Sequence, residues 1–137
     1  MLSGLFQSTT IPVLQEVVSF AQARHTVLAG NIANMDTPGY QVRDLSVEDF
    51  QARLRTAVAE SRQPPDMTAL GGATAGAKPL TAGVAKNAKT ILHHDKSNVG
   101  MEYQVSEMVK NQMQHNLALA IMAQQFRLLQ TAVSGRP

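Results

Sequence analysis

The chain has 137 residues, 44% of them hydrophobic, 16% charged and 4% aromatic, with a formal net charge of +2. That length fits one domain, and four Phe and two Tyr with no Trp leave few bulky anchors for a globular interior, so the apolar content must act along helix faces. No cysteine is present, which excludes a disulfide framework, thiolate metal sites and cysteine nucleophiles.

The longest apolar run, residues 117–123, is far shorter than the roughly 20 residues of a membrane-spanning helix. Near the amino terminus the first basic residue is Arg24 and Glu16 interrupts the apolar stretch, so no secretory signal is expected. Formal charge is −2 over residues 1–61, +3 over 62–96 and +1 over 97–137. That spread is too weak for a phosphate-binding stripe, and no nucleic-acid partner is expected.

Thr9 and Thr10 followed by Ile11-Pro12 predict a helix start, with a hydroxyl cap and a proline where a missing N–H costs nothing. Ile11, Leu14, Val18, Ala21, His25, Leu28 and Ile32 then alternate at spacings of three and four, a heptad seam along a helix at 9–35. Asn34-Met35-Asp36-Thr37-Pro38-Gly39-Tyr40 ends it, because the residue before a proline is pushed out of the helical region and Pro-Gly suits the centre of a type II turn. A turn is therefore expected at 36–45. Ser46 and Asp49 resemble a capping box, and Val47, Phe50, Leu54 and Val58 fall on one face of a short helix at 46–61. Residues 63–90 are rich in Pro, Gly, Ala, Thr and Lys and hold no aromatic side chain, so 63–97 is expected to be a loosely ordered linker.

In the last third, Met101, Val105, Met108, Gln112, His115, Leu119, Met122, Phe126, Leu129 and Val133 keep a strict four-three alternation, predicting a helix at 99–134 with its own seam. His25, His115 and Gln112 are expected to fix register as polar seam members. A second line, Met113, Leu117, Ile121 and Leu128, lies on an adjacent face, so one partner helix cannot cover both. A helix of about 34 residues spans roughly 50 Å, whereas a compact chain of this size is about 35 to 40 Å across. The helix overhangs its own domain, and its apolar faces are expected to stack against other copies. The predicted fold class is all-α: an antiparallel coiled-coil pair of long terminal helices, with a short extra helix and a loosely ordered middle linker.

Catalytic chemistry finds no footing. Residues 71–79 contain Gly71, Gly76 and Lys78, but Ala77 separates the last glycine from the lysine and Pro79 follows, so they read as a flexible linker and not as a phosphate-binding loop. His93, His94 and Asp95 are adjacent, and neighbours one apart point in different directions, so no metal site is expected. Glu102, Glu107 and Lys110 read as surface charges. No cofactor, small-molecule substrate or enzymatic activity is expected.

Residues 28–40, with Asn31, Ala33 and Asn34 ahead of Thr37-Pro38-Gly39-Tyr40, resemble the amino-terminal signature of flagellar rod and hook proteins: Ala-Asn, two variable residues, then Thr-Pro-Gly-Tyr. Residues 107–112 and 126–133 are similar to the terminal helix of the short, proximal rod member of that family. Gly100, in place of an acidic residue, and His115, in place of a Tyr, depart from its pattern. The resemblance implies a structural subunit of the proximal rod of the bacterial flagellar basal body, required for flagellum assembly and motility. It also implies type III export without a cleaved signal peptide and a place on the periplasmic side of the inner membrane. Implied partners are other copies of the chain, the MS-ring adaptor FliE, the rod protein FlgC and the flagellar export gate. The terminal helices would pair antiparallel by their seams, the second apolar line would meet neighbouring subunits, and the turn would lead the chain away from the helical layer. A soluble helical adaptor or export chaperone using the same seams is the alternative.

Overall fold

The computed structural model describes residues 10–61, 89–90 and 100–135. Among these residues the order of elements is α1 (Ile11–Ala33), β1 (Arg43–Asp44), α2 (Val47–Ser61), β2 (Lys89–Thr90) and α3 (Met101–Ser134). None of the described helices is long and apolar enough to cross a membrane.

α1 opens without the expected hydroxyl cap. Thr10 is itself in the helical region (φ −76°, ψ −2°) and its side chain makes no cap bond, because a hydroxyl reaches the first-turn amides only from an extended backbone. Its carbonyl instead accepts from Leu14 N at 3.0 Å, and Pro12 occupies the first turn. At the other end Asn34 bonds Gly30 O twice, through its backbone N–H at 3.1 Å and its Nδ2 at 2.8 Å. Tyr40 N then donates to Thr37 O at 3.1 Å around Gly39, whose φ is +77°. Those values define a type II turn, which needs a positive φ at its third residue.

The chain does not leave the helical layer after this turn, as the sequence suggested. It doubles back along α1, burying Val42 and Leu45 completely or nearly so. The cause is polar and therefore invisible to hydropathy: Asn31 grips Arg43 and Arg24 grips Asp44. β1 pairs antiparallel with β2, Arg43 opposite Thr90 and Asp44 opposite Lys89. A ladder of two pairs is too short to show the alternation by which strands are read, and it falls within the stretch expected to be a linker. The rest of that linker, including residues 71–79 and His93, His94 and Asp95, lies outside the described residues.

Ser46 Oγ accepts from Asp49 N at 3.1 Å and starts α2, which lays Phe50 flat on Phe20 with ring centroids 4.0 Å apart and planes within 6°. Phe20, Leu45 and Phe50 form the buried cluster, with Val17, Ala23, Val27, Val47 and Leu54 packed around it. α2 thus covers one flank of α1. α3 lies antiparallel to α1, with Asn31 beside Gln104, Arg24 beside Glu107 and Ala21 beside Asn111. Continued along the pair, that register sets Ile11 near Ile121, so about three turns of α3 run past the start of α1. Gly135 closes α3 in the left-handed region, φ +62°, donating to Thr131 O at 3.2 Å.

Because Phe50 is the main apolar anchor of α2, Phe50→Ala should lower stability by about 3 kcal/mol. Urea unfolding followed by helical circular dichroism checks this, and a change below about 1 kcal/mol would mean that α2 adds little.

Candidate functional site

The surface that defines this chain is the contact between α1 and α3, together with the faces it leaves open. α1 buries Ala21, Arg24, Leu28 and Asn31, and α3 buries Gln104, Asn111 and Ala118. Met108, His115, Met122, Gln125 and Leu129 are half-buried. The covered line on α3 is therefore 104, 108, 111, 115, 118, 122, 125 and 129, again a four-three alternation. Met108, His115, Met122 and Leu129 lie where the sequence seam put them. Val105, Gln112, Leu119, Phe126 and Val133 do not: all five are exposed, and the residue just before each of the first four takes its place. On α1 the same shift appears. Ile11, Ala21 and Leu28 are buried, Leu14, Val18 and Ile32 are half-buried, and His25 is exposed while Arg24 and Asn31 face inward.

The shift has a chemical cause. Alternate layers of the true contact carry Arg24, Asn31, Gln104 and Asn111, and a search for apolar side chains steps one position to Ile32, Val105 or Leu119 instead. What could have exposed it is the spacing of seven between Arg24 and Asn31 and between Gln104 and Asn111, polar residues in phase with each other on both helices.

Arg24, Asn31 and Glu107 are each held by several partners. Arg24 donates to both oxygens of Asp44, Nε to Oδ1 at 2.9 Å and Nη2 to Oδ2 at 2.6 Å, and Nη2 also reaches Glu107 Oε2 at 2.9 Å. The Asp44 carboxylate, closest to the guanidinium, raises the Arg24 pKa further above its already basic value. Glu107, read from sequence as a surface charge, has a side chain only 13% exposed. Lys110, whose Nζ lies 2.7 Å from Oε1, and then Arg24 hold its carboxyl below the ordinary range. Asn31 is fully buried and uses its whole amide. Nδ2 donates to Arg43 O at 2.6 Å and Gln104 Oε1 at 3.1 Å, while Oδ1 accepts from Tyr40 Oη at 3.1 Å and Arg43 N at 3.2 Å. Of the signature residues, Asn31 and Tyr40 thus meet in one clamp and Asn34 caps α1. Ala33, Thr37, Pro38 and Gly39 lie exposed.

The second apolar line stays in the open: Met113, Leu117, Ile121 and Leu128 are all exposed. Val105, Leu119, Phe126 and Val133 make another exposed stripe, and no residue from 111 to 126 carries a charge. Such a helix, apolar on two open faces and running past the start of its partner, leaves a large apolar surface exposed, as structural contact proteins do.

The comparisons with known proteins agree. The family model described as "Flagella basal body rod protein" matches residues 18–41, which cover most of α1 and the type II turn. The flagellar basal body rod protein FlgB of Escherichia coli strain K12 is 30% identical over 119 residues, 82% of this chain and 84% of that one. FlgB of Salmonella typhimurium strain LT2 is 27% identical over 88% of this chain and 90% of its own. FlgB of Aquifex aeolicus is 28% identical over 92% and 94%. This chain belongs to the FlgB family of flagellar basal body rod proteins, a structural family and not an enzymatic one.

The ion cluster makes stability depend on acid. Glu107 is depressed in the folded state, so its contribution is complete above its ordinary value of 4.5 and is lost as pH falls through the lower folded value. The urea midpoint should therefore drop below pH 4.5, and Glu107→Gln should flatten that part of the profile. An unchanged slope in the variant would assign the acid sensitivity to other groups. Arg24→Ala, which strands two carboxylates at the seam, should cost about 3 to 5 kcal/mol in the same assay at neutral pH.

Proposed function

We propose that this chain is a structural subunit of the proximal part of the flagellar rod, and that copies polymerise there through α1 and α3. The observation that carries this reading is the uncharged, doubly apolar surface of α3, exposed along the whole stretch from Met113 to Phe126 in a member of the rod family. One copy cannot hide that surface, and repeated lateral packing of helices can. The polar seam serves this purpose by holding α1 and α3 in one register, so that each copy offers the same faces to its neighbours.

In this reading the rod segment sits on the periplasmic side of the inner membrane, the chain reaching it through the flagellar export gate. Its neighbours are other copies, the MS-ring adaptor FliE on one side and the rod protein FlgC on the other. Assembly and motility then depend on it. The relatives are named as rod proteins, and none of the reported ones is named as an adaptor or chaperone.

The turn is the most exposed test of the scheme. A Cβ added at position 39 meets no neighbour within 4 Å, but a valine there must take a φ of +77°, which costs about 1 to 3 kcal/mol. Cells whose own gene is deleted should not swim, should regain swimming with the wild-type chain and should not with Gly39→Val. Basal bodies purified from the restored cells should hold the chain at the rod base. Recovery of the chain only as a soluble complex with one partner, with rods complete in its absence, would overturn the proposal.

A further inference from the structure

α2 covers one flank of the α1–α3 pair through Phe50, Val47 and Leu54, and among the described residues none covers the other flank. On that open side Gln22 and His25 of α1 and Asn111, Gln112 and His115 of α3 line a recess of about 230 Å³. Two buried atoms there have no hydrogen-bond partner, Asn111 Oδ1 and His115 Nδ1. Asn111 is only 1% exposed, and its Nδ2 is tied to Ala21 O at 2.7 Å, which fixes the direction of Oδ1. A buried acceptor left unpaired is costly, and among the described residues no other buried side-chain nitrogen or oxygen lacks a partner. Asn111 Oδ1 thus lacks a donor, and no Lys, Arg, Asp or Glu lines the recess.

By helical spacing, half-buried Val18 and exposed Leu119 follow one turn beyond the recess at one end, and half-buried Ile32 and exposed Val105 two turns beyond it at the other. A matching occupant is an uncharged helix face with one donor between apolar side chains. The chain supplies such a face: Gln124 lies three residues after Ile121 and four before Leu128, on one side of α3 and within the part that runs past Ile11. All three are exposed. A carboxamide brings an N–H donor for Asn111 Oδ1 and either a second N–H or its own oxygen for His115 Nδ1, whichever tautomer the ring holds.

We infer that the recess at Asn111 and His115 receives Gln124 from the α3 tail of a second copy, flanked by Ile121 and Leu128. This rests on the assembly reading above and names the two surfaces that meet. The contact joins different faces of the two chains, so it leaves a free recess at one end and a free tail at the other and adds copies without closing. The buried amide also sets the register of the contact, since sliding by one turn would leave Asn111 Oδ1 unpaired again.

The absence of cysteine in the chain makes the test direct. Rods containing the double variant Gln112→Cys/Gln124→Cys, oxidised in isolated basal bodies, should give a ladder of covalent multimers, while each single variant, with no thiol opposite its own, should stay monomeric. Complete rods without a ladder would overturn the inference, as would a ladder from Leu54→Cys/Gln124→Cys in its place, and either result leaves the rod assignment standing. Failure of the wild-type chain to enter rods would instead remove the assembly reading itself. Should the double variant not assemble, Gln124→Glu decides: a carboxylate offers acceptors only, so rods per cell should fall roughly ten-fold with helix content of the purified chain unchanged. Wild-type rod numbers in that variant would overturn the inference.

Discussion

A guanidinium in the middle of a helix contact has to find carboxylates or be expelled, because the desolvation of an unpaired charge exceeds what packing can return. Arg24 finds one on each side: Asp44 at 2.6 Å from the returning loop and Glu107 at 2.9 Å from α3. That single side chain decides where the chain goes after the turn and how far α3 slides along α1. Asn31, one heptad further, repeats the arrangement with neutral groups, tying Arg43 of the loop to Gln104 of α3. Apolar contacts would tolerate several registers of two regular helices, and these hydrogen bonds admit one.

With the register fixed, the open faces follow. α2 takes one flank of the pair through the stacked Phe20 and Phe50, and the remaining surface of α3 is left uncovered along most of its length. The tail past Ile11 adds a stretch that is apolar on more than one side. A monomer designed to stay alone would place charges there, yet residues 111–126 hold none. The same seam that organises one copy therefore also fixes which apolar faces of α3 stay exposed.

Much of this was legible in the amino-acid sequence, for reasons that differ by element. The helices at 11–33 and 101–134 announce themselves through long heptad periodicity, and the type II turn through Pro38-Gly39, since both depend on local backbone chemistry. The phase of the seam was not legible. Periodicity gives spacing and not which of two adjacent stripes faces the partner, and the buried stripe is the more polar one, with Arg24, Asn31, Gln104 and Asn111 inside and Val105, Leu119 and Phe126 outside. The return of the chain over α1 was hidden for the same reason: its guides, Asp44 and the backbone of Arg43, carry no hydropathy signal. Glu107 looked like any solvated glutamate because its partner lies 83 residues away.

A double-mutant cycle on Arg24 and Glu107 tests most directly whether the polar seam holds the terminal helices together. Unfolding free energies of Arg24→Ala, Glu107→Ala and the double variant should give a coupling of about 1.5 kcal/mol or more, typical of a close, largely desolvated pair. Strictly additive losses would contradict the account, placing the grip between α1 and α3 in apolar packing alone.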